Sequence, residues 1–81
     1  MTREEIFVKL KDIFKLVINN GVNVDNADTN TNIMLDLGVN SVGLIYVAIA
    51  IEQTFGIDMG EVTFSTFKIV DDVIDYIEER L

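Results

Sequence analysis

Leu35-Asp36-Leu37-Gly38-Val39-Asn40-Ser41-Val42-Gly43-Leu44-Ile45-Tyr46-Val47-Ala48-Ile49-Ala50-Ile51-Glu52-Gln53-Thr54-Phe55 is the stretch on which the reading of this chain turns. Gly38 marks a tight turn that runs into Asn40 and Ser41. An apolar helix follows, beginning at about Asn40 or Ser41 and ending near Phe55-Gly56. A hydroxyl at the start of a helix lies beside backbone N–H groups with no intrahelical acceptor, and beside the positive end of the helix dipole. That combination favours a bound anion. Ser41 is therefore a candidate for covalent modification, and a plain helix cap is the competing role for the same hydroxyl.

The helix after Ser41 is apolar nearly all round. Val47, Ile51 and Phe55 lie four apart on one stripe, which predicts an inward face flanked by Ala48. Gly43, Ile45, Tyr46, Ile49 and Ala50 make much of the other side apolar too. Such a helix is either buried or keeps an interaction surface. Tight packing or a homodimer face is one reading of the second side. A surface for a partner or a ligand is the other.

Working outward, Thr2 with Glu5 three residues on fits a capping box that opens a first helix. Ile6, Leu10, Ile13, Phe14 and Val17 recur at helical spacing, with Phe7 alongside and Glu4, Lys11, Asp12 and Lys15 opposite. Asn19-Asn20-Gly21 is expected to stop that helix. Residues 21–34 form a long polar connection in which Val22, Val24, Ile33 and Met34 are the expected packing residues. Its Asp and Asn residues were weighed as a calcium loop. Starting at Asn23, Asn26 or Asp28, position six is Asp28, Thr31 or Ile33 where an EF-hand needs Gly, and position twelve is Met34, Leu37 or Val39 where it needs Glu. Turn residues that bond their own backbone fit better.

Past Phe55, Gly56–Gly60 is a connector anchored by Ile57 and Met59. The segment 61–68 has strand propensity in Val62, Thr63, Phe64, Thr66 and Phe67, but no second strand to pair with. A short helical turn near Thr63–Phe67 is expected instead. A last helix runs from about Val70 to Glu79. Val70, Val73, Ile74 and Ile77 form its buried stripe, Tyr76 a flank, and Asp71, Asp72 and Arg80 complement its dipole. The expected fold is all-α: one domain over residues 1–81, a small four-helix bundle of three longer helices and one short one, with the long loop between the first two.

Composition narrows function. The chain has 81 residues and no Cys, His, Pro or Trp. It therefore lacks a thiol nucleophile, a thiolate zinc site and the usual general base. An enzyme would have only isolated carboxylates to work with. The formal net charge of −8 repels phosphate backbones and anionic lipid, which disfavours nucleic-acid and membrane partners and steers the chain toward basic surfaces on proteins. The run Val42–Ile51 is too short to span a bilayer, and Met1-Thr2-Arg3-Glu4-Glu5 lacks the apolar core of a secretory leader. A cytoplasmic protein is expected.

Three pieces of the sequence resemble the acyl carrier protein family, the phosphopantetheine-bearing carriers of fatty acid, polyketide and nonribosomal peptide synthesis. Asp28-Thr29 and then Leu35-Asp36-Leu37-Gly38-Val39-Asn40-Ser41-Val42 are similar to the family's Asp-Leu-Gly-x-Asp-Ser-Leu. Ile51-Glu52 with Phe55-Gly56-Ile57 follows its Leu-Glu-x-x-Phe-x-Ile, and Val70 through Asp75-Tyr76-Ile77 its closing Val-x-Asp-Leu-Val-x-Tyr-Ile. All three stand in the right order and at the right spacing.

The resemblance implies a carrier that catalyses nothing. A phosphopantetheinyl transferase would use magnesium to move 4'-phosphopantetheine from coenzyme A onto Ser41, and acyl-loading and acyl-modifying enzymes would then use the arm's thiol. Asp36, Asn40, Val42, Ile45, Tyr46 and Ile49 are the implied partner surface on a monomeric carrier, although Asp36 reads equally as a turn residue. Asn40 stands where fatty acid carriers usually have Asp, and Val42 where they have Leu. Peptidyl carriers tolerate Asn there but usually have a second Gly where this chain has Val39. Gly43, Tyr46, Gln53 and Thr54 hold positions that are often acidic, and only Glu52 remains. The partner surface is therefore expected to rely on apolar contact and to depend weakly on salt. A specialised acyl or aminoacyl pathway follows. The alternatives are a nonribosomal peptide-type carrier and an unmodified interaction module that kept the bundle.

Overall fold

The structure is a computed structural model that describes residues 1–18, 21–60 and 67–81. Helix α1 spans Arg3–Val17, a single 3-10 turn spans Val24–Asn26, helix α2 spans Ser41–Phe55 and helix α3 spans Val70–Arg80. The fold is all-helical among the described residues, as expected. Asn32 and Ile69 form one isolated antiparallel bridge.

Each helix boundary has a local cause. The Thr2 hydroxyl accepts from the Glu5 amide, and the Glu5 carboxylate accepts from the Thr2 amide, so the capping box forms. α1 ends one residue earlier than the Asn-Asn-Gly signal suggests, with Ile18 at its C-cap in an extended conformation. α2 stops at Gly56, whose φ of 69° is left-handed and costs glycine nothing. α3 has Ile69 at its N-cap, and the Asp72 carboxylate accepts from the Lys68 and Ile69 amides.

The core runs between the three helices. Ile6, Leu10, Ile13 and Phe14 of α1 meet Leu44, Val47 and Ile51 of α2 and Val70, Val73, Ile74 and Ile77 of α3. The α1 and α3 stripes follow the expected spacing. On α2 the inward stripe begins one turn earlier than the sequence suggested: Leu44 is buried and Phe55 only half-buried. Phe55 sits in the last turn, where the helix is already leaving the core.

The long connection packs differently from expectation. Val24 and Ile33 are buried as foreseen, but Val22 and Met34 are exposed, and Leu37 and Val39 take the inward places. The polar residues do bond their own backbone. Asp28 Oδ1 accepts from the Asn30 amide, the Thr31 hydroxyl accepts from the Asp28 amide, and Asn23 Oδ1 accepts from the Asp25 amide. The loop also supplies acceptors to the start of α3, Val70 N donating to Thr31 O and Asp71 N to Thr29 O, and in return Ile33 N donates to Lys68 O. Two of the amides at the start of α3 are satisfied in this way.

The short helix expected near Thr63–Phe67 falls on residues 61–66, outside the described residues. Phe67 itself is buried, as is Met59. Tyr76 ties both to α3: its hydroxyl donates to the Met59 carbonyl at 2.8 Å, and its ring meets Phe67 edge-on at 5.3 Å between centroids. Phe14, Ile51 and Phe67 are buried, and Phe64 lies outside the described residues.

Candidate functional site at the start of helix α2

Ser41 is the first residue of α2 and is exposed. The capping task falls one residue earlier. Asn40 is extended, with φ −90° and ψ −176°; its side-chain oxygen accepts from the Gly43 amide at 2.8 Å, and its carbonyl accepts from the Leu44 amide at 2.9 Å. The competing role for the Ser41 hydroxyl is therefore already filled. Among the described residues, neither that hydroxyl nor the backbone amides of Ser41 and Val42 have a hydrogen-bond partner. No acidic residue lies in the first turn of α2. An anion joined to Ser41 would meet two free N–H groups, the positive end of the dipole and no nearby carboxylate on the helix.

Two core side chains fix this serine from either side. Val39 and Leu44 are both buried. Between the turn and the helix, Gly38 has a φ of 70°, which lets the chain reverse sharply into Val39. Gly43 is where α2 comes closest to the turn. A Cβ there would stand 3.2 Å from Val39 Cγ1 and 3.4 Å from Asn40 Oδ1. Glycine at this position thus lets the cap and the turn close tightly.

Of the expected partner residues, Val42, Ile45, Tyr46 and Ile49 are 57, 61, 60 and 45 % exposed. At offsets of three, four and seven residues they form one stripe on the side of α2 away from Leu44, Val47 and Ile51. Among the described residues, none packs tightly over this stripe. Asn40 is exposed beside them, although its side chain is engaged in the cap. Asp36 is exposed too, but one carboxylate oxygen accepts from the Asn32 amide at 2.8 Å, so it belongs at least to the turn.

Two residues of the site were not foreseen. Asn32 caps the turn, its side-chain oxygen accepting from the Leu35 amide at 2.8 Å. An Asn followed by an Asp four residues on is the signal that could have found it. Leu35 stands 84 % exposed on that turn, with Met34 exposed next to it. Neither shows in periodicity, because turns have none.

The chain is similar in sequence to known proteins. The family described as the phosphopantetheine attachment site matches residues 8–77. The acyl carrier protein of Coprothermobacter proteolyticus is 33 % identical over 81 residues, covering 100 % of this chain and 96 % of that one. That of Lactobacillus acidophilus is 35 % identical over 80 residues, covering 99 % and 98 %, and that of Thermotoga maritima 30 % over 80 residues, covering 99 % and 96 %. With a match across essentially its whole length, the chain belongs to the acyl carrier protein family, as a carrier of acyl groups on 4'-phosphopantetheine and not an enzyme.

Proposed function

We propose that Ser41 is the residue that receives the phosphopantetheine arm, on a single carrier domain formed by residues 1–81. The observation that carries this reading is that the Ser41 hydroxyl is exposed and relieved of capping by Asn40. The residues around it suit a phosphodiester: free amides at Ser41 and Val42, and no acid in the first turn of α2. Loading forms an Oγ–P bond on Ser41 while the anhydride bond of coenzyme A breaks and its adenosine half leaves. Among the described residues no side chain is bonded to the Ser41 hydroxyl, so the proton it loses passes to a base on the transferase or to the leaving phosphate. The arm supplies the thiol that holds the acyl group as a thioester. What the chain contributes is the placement of that anchor and the face beside it.

Asn40, Val42, Ile45, Tyr46 and Ile49 form the face we assign to the transferase and to acyl-loading and acyl-modifying enzymes, while Asp36 belongs to the turn beside it. A stripe that begins next to Ser41 is covered by whatever reaches Ser41. Two copies of a chain carrying −8 repel each other, which favours a monomer that meets other proteins. We assign it to the cytoplasm; no helix among the described residues is long and apolar enough to cross a membrane. The scarcity of acid on this face favours a specialised set of partner enzymes within fatty acid, polyketide or related biosynthesis.

Intact mass measurement tests the central claim. Incubation with coenzyme A, magnesium and a broad-specificity transferase should add one phosphopantetheine, and Ser41→Ala should abolish the gain. A folded protein that gains nothing beside an active control would point to an unmodified interaction module.

A further inference from the structure

The turn that leads into Ser41 is closed at both ends by one pair of residues. Asn32 N donates to Asp36 Oδ2 at 2.8 Å, and Asp36 N donates back to Asn32 O at 2.9 Å. Asn32 Oδ1 accepts from the Leu35 amide at 2.8 Å, and Asn32 O also accepts from the Leu37 amide at 3.3 Å. Ahead of this box, Ile33 is buried and held to Lys68, with Asn32 facing Ile69 at the start of α3. Behind it, Val39 N donates to Ile33 O at 3.2 Å, Gly38 N to Met34 O at 3.1 Å, and Val39 is buried two residues before Ser41. The box is thus the link between a fixed point on α3 and the start of α2.

On this geometry we infer that Asp36 is a positioning residue: its carboxylate acts through an oxygen that holds the turn, and so holds Ser41 in place for phosphopantetheine transfer, and its charge is not what a transferase reads. The inference rests on the assignment of Ser41 as the loaded residue. It turns the family resemblance around at this position, since an exposed acid before the serine invites an ion pair with a basic enzyme. The oxygen facing the Asn32 amide is present in Asn as well as Asp. A serine displaced by a fraction of its proper placement meets the transferase surface normally but reacts slowly, because a misplacement of about 1 Å can cost up to roughly a hundredfold.

Three variants separate geometry from charge. Asp36→Asn keeps the acceptor and drops the charge, Asp36→Ala drops both, and Asn32→Ala removes only the side-chain bond to Leu35, leaving the backbone amide that Asp36 holds. Steady-state loading with coenzyme A should give wild-type kcat and KM for D36N. For D36A, kcat should fall roughly tenfold or more with KM little changed, and for N32A it should fall less. Amide NMR supplies a readout free of the enzyme: the Asn32 resonance should keep its exchange protection in D36N and lose it in D36A. If D36A fails to fold, D36N still decides the matter, because loss of the charge alone must leave kcat, KM and the Asn32 protection unchanged. A rise in KM shared by D36N and D36A, or wild-type kcat in a folded D36A, overturns the positioning role. Loading that survives Ser41→Ala overturns the assignment of Ser41 instead, and the positioning role with it.

Discussion

Asn40 takes the cap so that Ser41 does not have to. A side-chain oxygen bonded to the third amide of the helix removes one of its unsatisfied donors. Asn40→Ala should lower stability by about 1 kcal/mol, read as a lower urea midpoint with an unchanged slope. Asn40→Asp should match or exceed the wild type by a few tenths of a kcal/mol, because the added charge sits at the positive end of α2.

A second cap is pH-sensitive. The Glu5 carboxyl is held below its ordinary value, first by the Thr2 backbone amide and then by the Thr2 hydroxyl. A carboxyl with a lowered folded pKa stabilises the fold above its unfolded pKa and loses that contribution as pH falls through the folded value. The advantage of wild type over Glu5→Gln in melting temperature should therefore be full at neutral pH and vanish in acid. An advantage independent of pH would sink this account. Thr2, Glu5 and Asn40 were legible in the sequence because their partners lie within three residues. Asp36 stayed open between a turn residue and a partner contact, because that choice depends on how a whole turn closes on Asn32.

Helix α2 carries two apolar faces that mean opposite things. Ile51 is fully buried and Ile49 nearly half exposed, two residues apart on the same helix. Ile51→Ala should cost about 2–5 kcal/mol, and Ile49→Ala within about 1 kcal/mol. The order should invert for partner enzymes: Ile49→Ala and Tyr46→Ala should weaken binding while leaving the fold intact. Because Glu52 is the one carboxylate on α2, that binding should change little with added salt. A steep loss of affinity would instead reveal an ionic interface.

Periodicity found this helix, its ends and the inward places of Val47 and Ile51, and it could not say toward which end that stripe continues. The choice depends on where α1 lies, which no local pattern encodes. For the same reason Leu44 went unassigned and Phe55 was placed too deep. The loop was harder still. Val22 and Met34 have the same chemistry as Val24 and Ile33, and only the course of the chain past the start of α3 turns one pair in and the other out.

The whole molecule has to hold fourteen carboxylates with six cations. Its main answer among the described residues is Arg3. From the first turn of α1 its guanidinium reaches Asp71, Asp75 at 2.7 Å and Glu78 at 3.0 Å, three acids lined along one face of α3. Lys15 does the same for the loop at Asp25, 2.7 Å away. A single exposed ion pair contributes little, since water and salt screen it. One cation shared by three acids is different, because removing it leaves three like charges facing one another and raises a net charge that already opposes compaction. Arg3→Gln should lower the melting temperature, and the loss should be larger in dilute buffer than at high salt. Wild type should also gain stability as salt is added, since screening relieves its −8. An Arg3→Gln loss of the same size at every ionic strength would mean that Arg3 acts through packing of its stem and not through charge.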